Sequence, residues 1–146
     1  MAFFIFNNMK LTPFHLAIPV KEITTTRDFY RDTLGCKEGR SSDHWVDFDF
    51  FGHQLVIHIS DNAPGVSTNA VDGKAVPVPH FGVVLEWGIF NAFAKACTTK
   101  GVQFLIEPYI RFEGLPGEQA TMFFLDPSGN ALEFKSFKDF NQIFAT

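Results

Sequence analysis

PFHLAIPV, residues 13–20, alternates Phe14, Leu16, Ile18 and Val20 with His15, Ala17 and Pro19. That is the period-two pattern of a strand with one buried face. A second version stands at residues 79–85, PHFGVVL, where His80 and Gly82 alternate with Phe81, Val83 and Leu85. His15 and His80 lie 65 positions apart, and Gly35 and Gly101, glycines placed to stop a following helix, lie 66 apart. The chain therefore repeats one order of elements in register.

Working outward, KEITTTRDFYRDTLG (21–35) spaces Phe29, Tyr30, Thr33 and Leu34 as a helical stripe, and GIFNAFAKACTTKG (88–101) does the same with Phe90, Phe93, Ala94 and Cys97. WVDFDFFGHQLVIHIS (45–60) reads as strand, Phe-Gly-His turn, strand. VQFLIEPYIRF (102–112) and QATMFFLDPSGNALEFKSF (119–137) supply the matching strands, with a turn at Asp126-Pro127-Ser128-Gly129. Each half is a β-α-β-β-β unit, about 11–60 and about 79–138, within a single domain spanning 1–146. Between them DNAPGVSTNAVDGKAVPV (61–78) has no apolar period and reads as a linker, long enough to be either a lid or a plain connector.

With 146 residues, 46% hydrophobic and 19% charged, the chain has the makeup of a soluble α+β domain burying roughly 70% of its unfolded surface. Nineteen phenylalanines in short runs suit strands. A net charge of −4 with scattered Lys and Arg argues against a nucleic-acid partner. No apolar run approaches a membrane span, and MAFFIFNNMK lacks a secretory signal pattern, so the expected location is cytoplasmic, with Met9 as an alternative start. Cys36 and Cys97, far apart and outside any CxxC, read as reduced structural thiols.

Residues i and i+2 of a strand share a face. His15 then sits with Ala17, His80 with Gly82 and Glu133 with Ala131, each away from the aliphatic side of its strand. Two imidazoles and a carboxylate beside small residues form a donor set with open positions for Fe, Mn, Ni or Zn. A lone strand histidine is more often a hydrogen-bonded structural residue, so the weight lies on all three together. Tyr109 and Arg111 in EPYIRFEG share a face and offer a proton donor and an anion clamp, with Lys135 on the same side as Glu133. His44 and His53 flank a strand and read as turn residues.

PFHLAIPV, TRDFYRDTLGC, PHFGVVL and FFLDPSGNALEFKSF together resemble the vicinal oxygen chelate superfamily, which includes glyoxalase I, extradiol dioxygenases, methylmalonyl-CoA epimerase and fosfomycin- and bleomycin-resistance proteins. The resemblance spans about 13–137 and looks most like the extradiol-dioxygenase-like branch. It implies two tandem β-α-β-β-β modules in a cupped, mixed but mainly antiparallel sheet with helices outside, and a divalent metal held by His15, His80 and Glu133. The fourth metal-facing position falls on Val56 or on His58; His58 would give the four-ligand set of glyoxalases and epimerases, Val56 the three-ligand set of dioxygenases. The implied function is a metal-dependent enzyme on a small oxygen-chelating substrate. An extradiol-dioxygenase-like oxidoreductase using Fe2+ leads, ahead of a lyase or isomerase of the glyoxalase type and a metal-free bleomycin-resistance-like binder. A homodimer is expected.

Overall fold

A computed structural model describes residues 11–62 and 67–146; Met9 lies outside them. The first module runs β1 (His15–Val20), α1 (Ile23–Asp28), a π-helical turn (Phe29–Thr33), β2 (Lys37–Ser41), β3 (Trp45–Phe50) and β4 (His53–Ile59). The second runs β7 (His80–Phe81), β8 (Val84–Leu85), α2 (Trp87–Thr99), β9 (Phe104–Arg111), β10 (Gln119–Leu125) and β11 (Ala131–Phe137). Strand order is β1-β4-β3-β2 in one sheet and β7-β11-β10-β9 in the other, with β8 continuing the edge beside β11. In each sheet the first strand pairs parallel to the last, β8 also pairs parallel to β11, and the other pairs are antiparallel. The fold is α+β, with the expected order of elements in both halves.

The segment 61–78 departs from its reading as an unstructured linker, because Ser67–Val71 (β5) and Lys74–Val78 (β6) pair as an antiparallel hairpin. Asp72 and Gly73 turn it with φ of 51° and 72°. Positive φ at both central residues is what a two-residue hairpin loop requires, and Asp-Gly is a favoured pair for it.

The first helix is also shorter than its stripe suggests. Glu22 caps it by accepting from the Thr24 and Thr25 amides at 2.7 Å. Three successive threonines are poor helix formers, and the α-turns give way to a π turn that ends with the Leu34 amide on the Phe29 carbonyl. The wider turn sets both Phe29 and Tyr30 inward. Tyr30 is fully buried, 5.5 Å from the Phe48 ring, while Phe29 lies 6.2 Å from Phe124 of the other sheet.

α1 thus belongs to both modules. The alternate residues of β1, β3 and β4 (Ile18, Val20, Val46, Phe48, Leu55, Ile57) share one hydrophobic core with Met122, Phe124, Leu132 and Phe134 of β10 and β11 and with Phe90, Ala94 and Cys97 of α2. The Asp126-Pro127-Ser128-Gly129 turn locks the modules together. Buried Asp126 accepts from the Tyr30 hydroxyl and from the Asn130 side chain at 2.9 Å, Asn130 also donates to the Pro19 carbonyl, and the Ser128 hydroxyl meets Thr26. With the apolar faces spent on this shared core, the faces bearing His15 and Glu133 both turn away from it.

Candidate metal centre

In module two, Ala131 lies opposite His80 and Glu133 stands two residues further along β11, on the same face. The strand carrying His80 can approach because Gly82 has no side chain: a Cβ there would fall 1.6 Å from the Glu133 carbonyl oxygen. Gly82 is therefore needed for a backbone approach, a stronger constraint than leaving room beside a ligand. The small residues that do leave room are Ala17 and Ala131, which with Pro19, Pro79 and His80 line a crevice of about 250 Å³ where the two sheets meet.

His80 Nε2 lies 2.9 Å from Glu133 Oε2, with the two side chains 29% and 12% exposed. The other ring nitrogen, Nδ1, donates to the Pro77 carbonyl at 2.6 Å, so β6 fixes the imidazole's orientation and directs Nε2 at the carboxylate. Thr121 donates to Glu133 Oε1 at 2.7 Å, and Lys135 Nζ lies 3.4 Å from the same oxygen. The hydrogen bond with Glu133 raises the His80 pKa against the opposing effect of burial. Burial pushes the Glu133 carboxyl up, but His80, Thr121 and Lys135 together hold it below its ordinary value. An imidazole nitrogen and a carboxylate oxygen facing each other, each with its remaining atoms tied down, are a donor pair that suits a divalent ion.

His15 is elsewhere. It is exposed at the start of β1, and its Nδ1 donates to the Gln54 side-chain oxygen at 2.9 Å. Among the described residues, no three His, Cys, Asp or Glu side chains converge closely enough to hold a metal ion. The structure thus brings His80 and Glu133 together and leaves His15 on the other module's face. The β1–β4 register pairs His15 with Gln54 and Ala17 with Val56, so Val56, buried, holds the place in module one that Glu133 holds in module two. His58 lies one alternation further on, exposed, opposite Pro19 and Trp45.

Tyr109 and Arg111 fall on the Glu133 face of the second sheet, in the rows of Thr121 and Gln119. Neither is free: the Tyr109 hydroxyl donates to Asp72 Oδ2 at 3.1 Å, Arg111 Nε bonds the same oxygen, and Lys74 Nζ stands 4.7 Å above the Tyr109 ring. Arg111 holds the Asp72 carboxyl below the ordinary range, and burial together with Asp72 raises the Tyr109 hydroxyl. His53 Nδ1 accepts from the Phe14 amide and His44 is exposed, in keeping with turn roles. Cys36 and Cys97 are buried and free, their thiols pushed up by burial to about 12 and about 11, in keeping with structural thiols. Sequence reading missed Asp72, Thr121 and the Pro77 carbonyl; of these only Asp72 had a signal, in Asp72-Gly73. No helix among the described residues is long and apolar enough to cross a membrane.

Comparison with known proteins adds four findings. The family model described as Glyoxalase/Bleomycin resistance protein/Dioxygenase superfamily matches residues 12–134. A crystal structure of a glyoxalase/bleomycin resistance protein/dioxygenase from Alicyclobacillus acidocaldarius is 37% identical, covering 92% of this chain and 99% of its own, with a TM-score of 0.78. The fosfomycin resistance protein FosX of Listeria monocytogenes (16% identical, 92% and 98% covered, TM-score 0.68) and a lactoylglutathione lyase of Agrobacterium tumefaciens (13%, 87% and 92%, TM-score 0.60) share the fold. No curated protein matches the sequence.

Proposed function

This chain belongs to the glyoxalase/bleomycin resistance protein/dioxygenase superfamily, and on that premise we propose that it is a metal-dependent enzyme acting on a small oxygen-chelating substrate, of the extradiol-dioxygenase-like kind. The observation that carries the reading is the His80 Nε2–Glu133 Oε2 contact of 2.9 Å beside a crevice lined by Ala17 and Ala131. Val56 in the place corresponding to Glu133 favours a three-ligand set of His15, His80 and Glu133 over a four-ligand one. His58 joins only in a four-ligand arrangement, which would move the chemistry to the lyase or isomerase class.

When bound, a divalent metal, Fe2+ in this reading and Mn2+, Ni2+ or Zn2+ otherwise, supplies Lewis acidity toward paired substrate oxygens and, as iron, reactivity toward dioxygen. The protein's own part is positional. The Pro77 carbonyl accepts the Nδ1–H of His80, so that Nε2 faces the carboxylate and offers a metal its lone pair once its own proton is displaced; Thr121 and Lys135 hold the far carboxylate oxygen, and the two alanines keep space open for substrate. Because His15 bonds Gln54 and does not converge with this pair within one chain, a homodimer in which a second copy supplies His15 completes the site.

The test is metal content of anaerobically purified protein beside His15→Ala, His80→Ala and Glu133→Ala, followed by oxygen uptake with catechols. Each variant is expected to lose most of its metal. Co-refolding His15→Ala with Glu133→Ala restores one intact site per mixed dimer, and therefore about half the metal of that dimer, if the site is shared between copies. Full occupancy in all three single variants would sink the assignment. Metal retention without oxygen uptake would shift the reading to the lyase or isomerase class.

A further inference from the structure

Asp72 does more at the tip of the β5–β6 hairpin than close a turn. Its carboxylate receives Arg111 Nε, the Tyr109 hydroxyl at 3.1 Å and Arg111 Nη2 at 3.5 Å. A guanidinium fork with a phenol beside it is the geometry in which proteins hold a ligand carboxylate. We propose that Arg111 and Tyr109 form a carboxylate subsite which Asp72 occupies as a built-in competitor, until an elongated carboxylic acid with an apolar middle displaces the hairpin's tip, β6 at Pro77 staying in place behind His80.

Three observations lead there. The hairpin lies over Ile106 and Phe123 through Val76, with Val71 and Tyr109 partly buried around them, and this cluster is separate from the main core. On the hairpin side the apolar anchor is buried Val76 and Pro77 of β6 with half-buried Val71, whereas the tip, Asp72 and Gly73, is exposed and is held down by the contact with Arg111 and Tyr109. Second, the surface it covers leads straight to the metal pair. Phe123 lies opposite Glu133 on β10, and its ring is 5.1 Å from the His80 imidazole. Third, the charge at the far end is complementary to an acid: Arg111 and Tyr109 aim at one carboxylate, with Lys74 over the Tyr109 ring.

The rows of the sheet set the ligand's length. Thr121, in the Tyr109 row, is two residues from Phe123, and Gln119, in the Arg111 row, is four, so the acid end lies roughly 7 to 14 Å along the strands from the Glu133 row. That is the span of an aromatic ring with a short carboxylated arm. The inference rests on the proposed metal site only for where the chelating end of such a substrate lies.

The chain has two tyrosines, Tyr30 and Tyr109, so ring-labelled tyrosine gives one NMR signal inside the core and one in the subsite. Metal-free full-length protein in a chelator is titrated with benzoate. The Tyr109 signal is expected to move and saturate while Tyr30 stays. Asp72→Asn, which removes the competitor, should bind benzoate more tightly, by about tenfold for a clamp that is free about a tenth of the time. Val76→Thr, which loosens the hairpin without touching the carboxylate, should tighten binding in the same direction, and Arg111→Gln should abolish it. Equal or weaker binding by both Asp72→Asn and Val76→Thr, with Tyr30 at its wild-type position, would overturn the proposal, as would a benzoate response that survives Arg111→Gln. With no metal present, failure here leaves the metal reading standing, and loss of the metal reading leaves this result untouched.

Discussion

In module one the first-strand imidazole, His15, faces Gln54 on the neighbouring parallel strand; in module two His80, in the same register, faces Ala131 and contacts Glu133 one alternation further along. The pairing registers of the first and last strands agree, so at these positions the difference lies in a few side chains. Val56 replaces the carboxylate, and module one keeps its nearest acid one strand further out, at Asp47 opposite Val56, where it lies 3.8 Å from Arg40. Ala17 stands where module two has Gly82. A duplicated frame has given one half a preorganised donor pair and left the other's first-strand imidazole without a facing carboxylate.

The largest effect expected from testing that comparison is at its glycine. Gly82→Ala puts a Cβ 1.6 Å from the Glu133 carbonyl oxygen, backbone that cannot swing aside, and should cost about 3 kcal/mol or more, as severe overpacking does. Ala17→Gly at the matched position should cost only about 0.5–1 kcal/mol, the conformational freedom a glycine adds. Urea midpoints of the two variants measure the contrast. Equal costs would mean that the two first strands are held alike, and the asymmetry drawn here would be broken.

Next comes the donor pair. Glu133→Ala leaves the imidazole of His80, the Thr121 hydroxyl and Lys135 without their shared acceptor in a half-buried place. It should destabilise by about 2 kcal/mol. His15→Ala removes one exposed hydrogen bond to Gln54 and should fall within about 0.5 kcal/mol of the wild type. Thermal unfolding of both, metal-free, sharpens the comparison: a His15 variant as costly as the Glu133 variant would mean that module one also holds its imidazole in a built environment.

Much of this was legible in the sequence because period-two patterns with fixed offsets specify which residues share a face. The faces of His80 and Glu133 follow from that rule, the turn at 126–129 from its Asp-Pro-Ser-Gly residues, and the stripe of α2 from the helical period. What pattern alone does not give is where one sheet's face points relative to the other's. That depends on how α1 and the Asp126 turn join the two apolar faces into one core, through contacts such as Tyr30–Asp126 that span 96 positions. For this reason His15 reads as a partner of His80 and Glu133 yet lies apart from them in the chain. The hairpin was missed for a different reason. Composition rich in Pro, Gly and Asn outweighed the Asp-Gly pair between Ala70-Val71 and Lys74-Ala75-Val76, although that dipeptide is itself a hairpin signal.

A third effect, smaller than those at Gly82 and Glu133, concerns the core side of the same two last strands. In module one Val20 pairs with Ile59 at the end of the parallel ladder; in module two the corresponding pair is Leu85 with Ser136. Ser136 is fully buried between Leu85 and Ala120, and its hydroxyl is the one buried side-chain polar atom without a hydrogen-bond partner among the described residues. Leaving a buried hydroxyl unpaired carries a desolvation cost that an alanine does not, and the position already packs against a small residue. Ser136→Ala should therefore stabilise the protein by about 1 kcal/mol, read as a higher urea midpoint at unchanged slope. The opposite sign would mean that the hydroxyl has a partner the apolar surroundings do not suggest, and that module two departs from module one on its core face as well as on the face that bears Glu133.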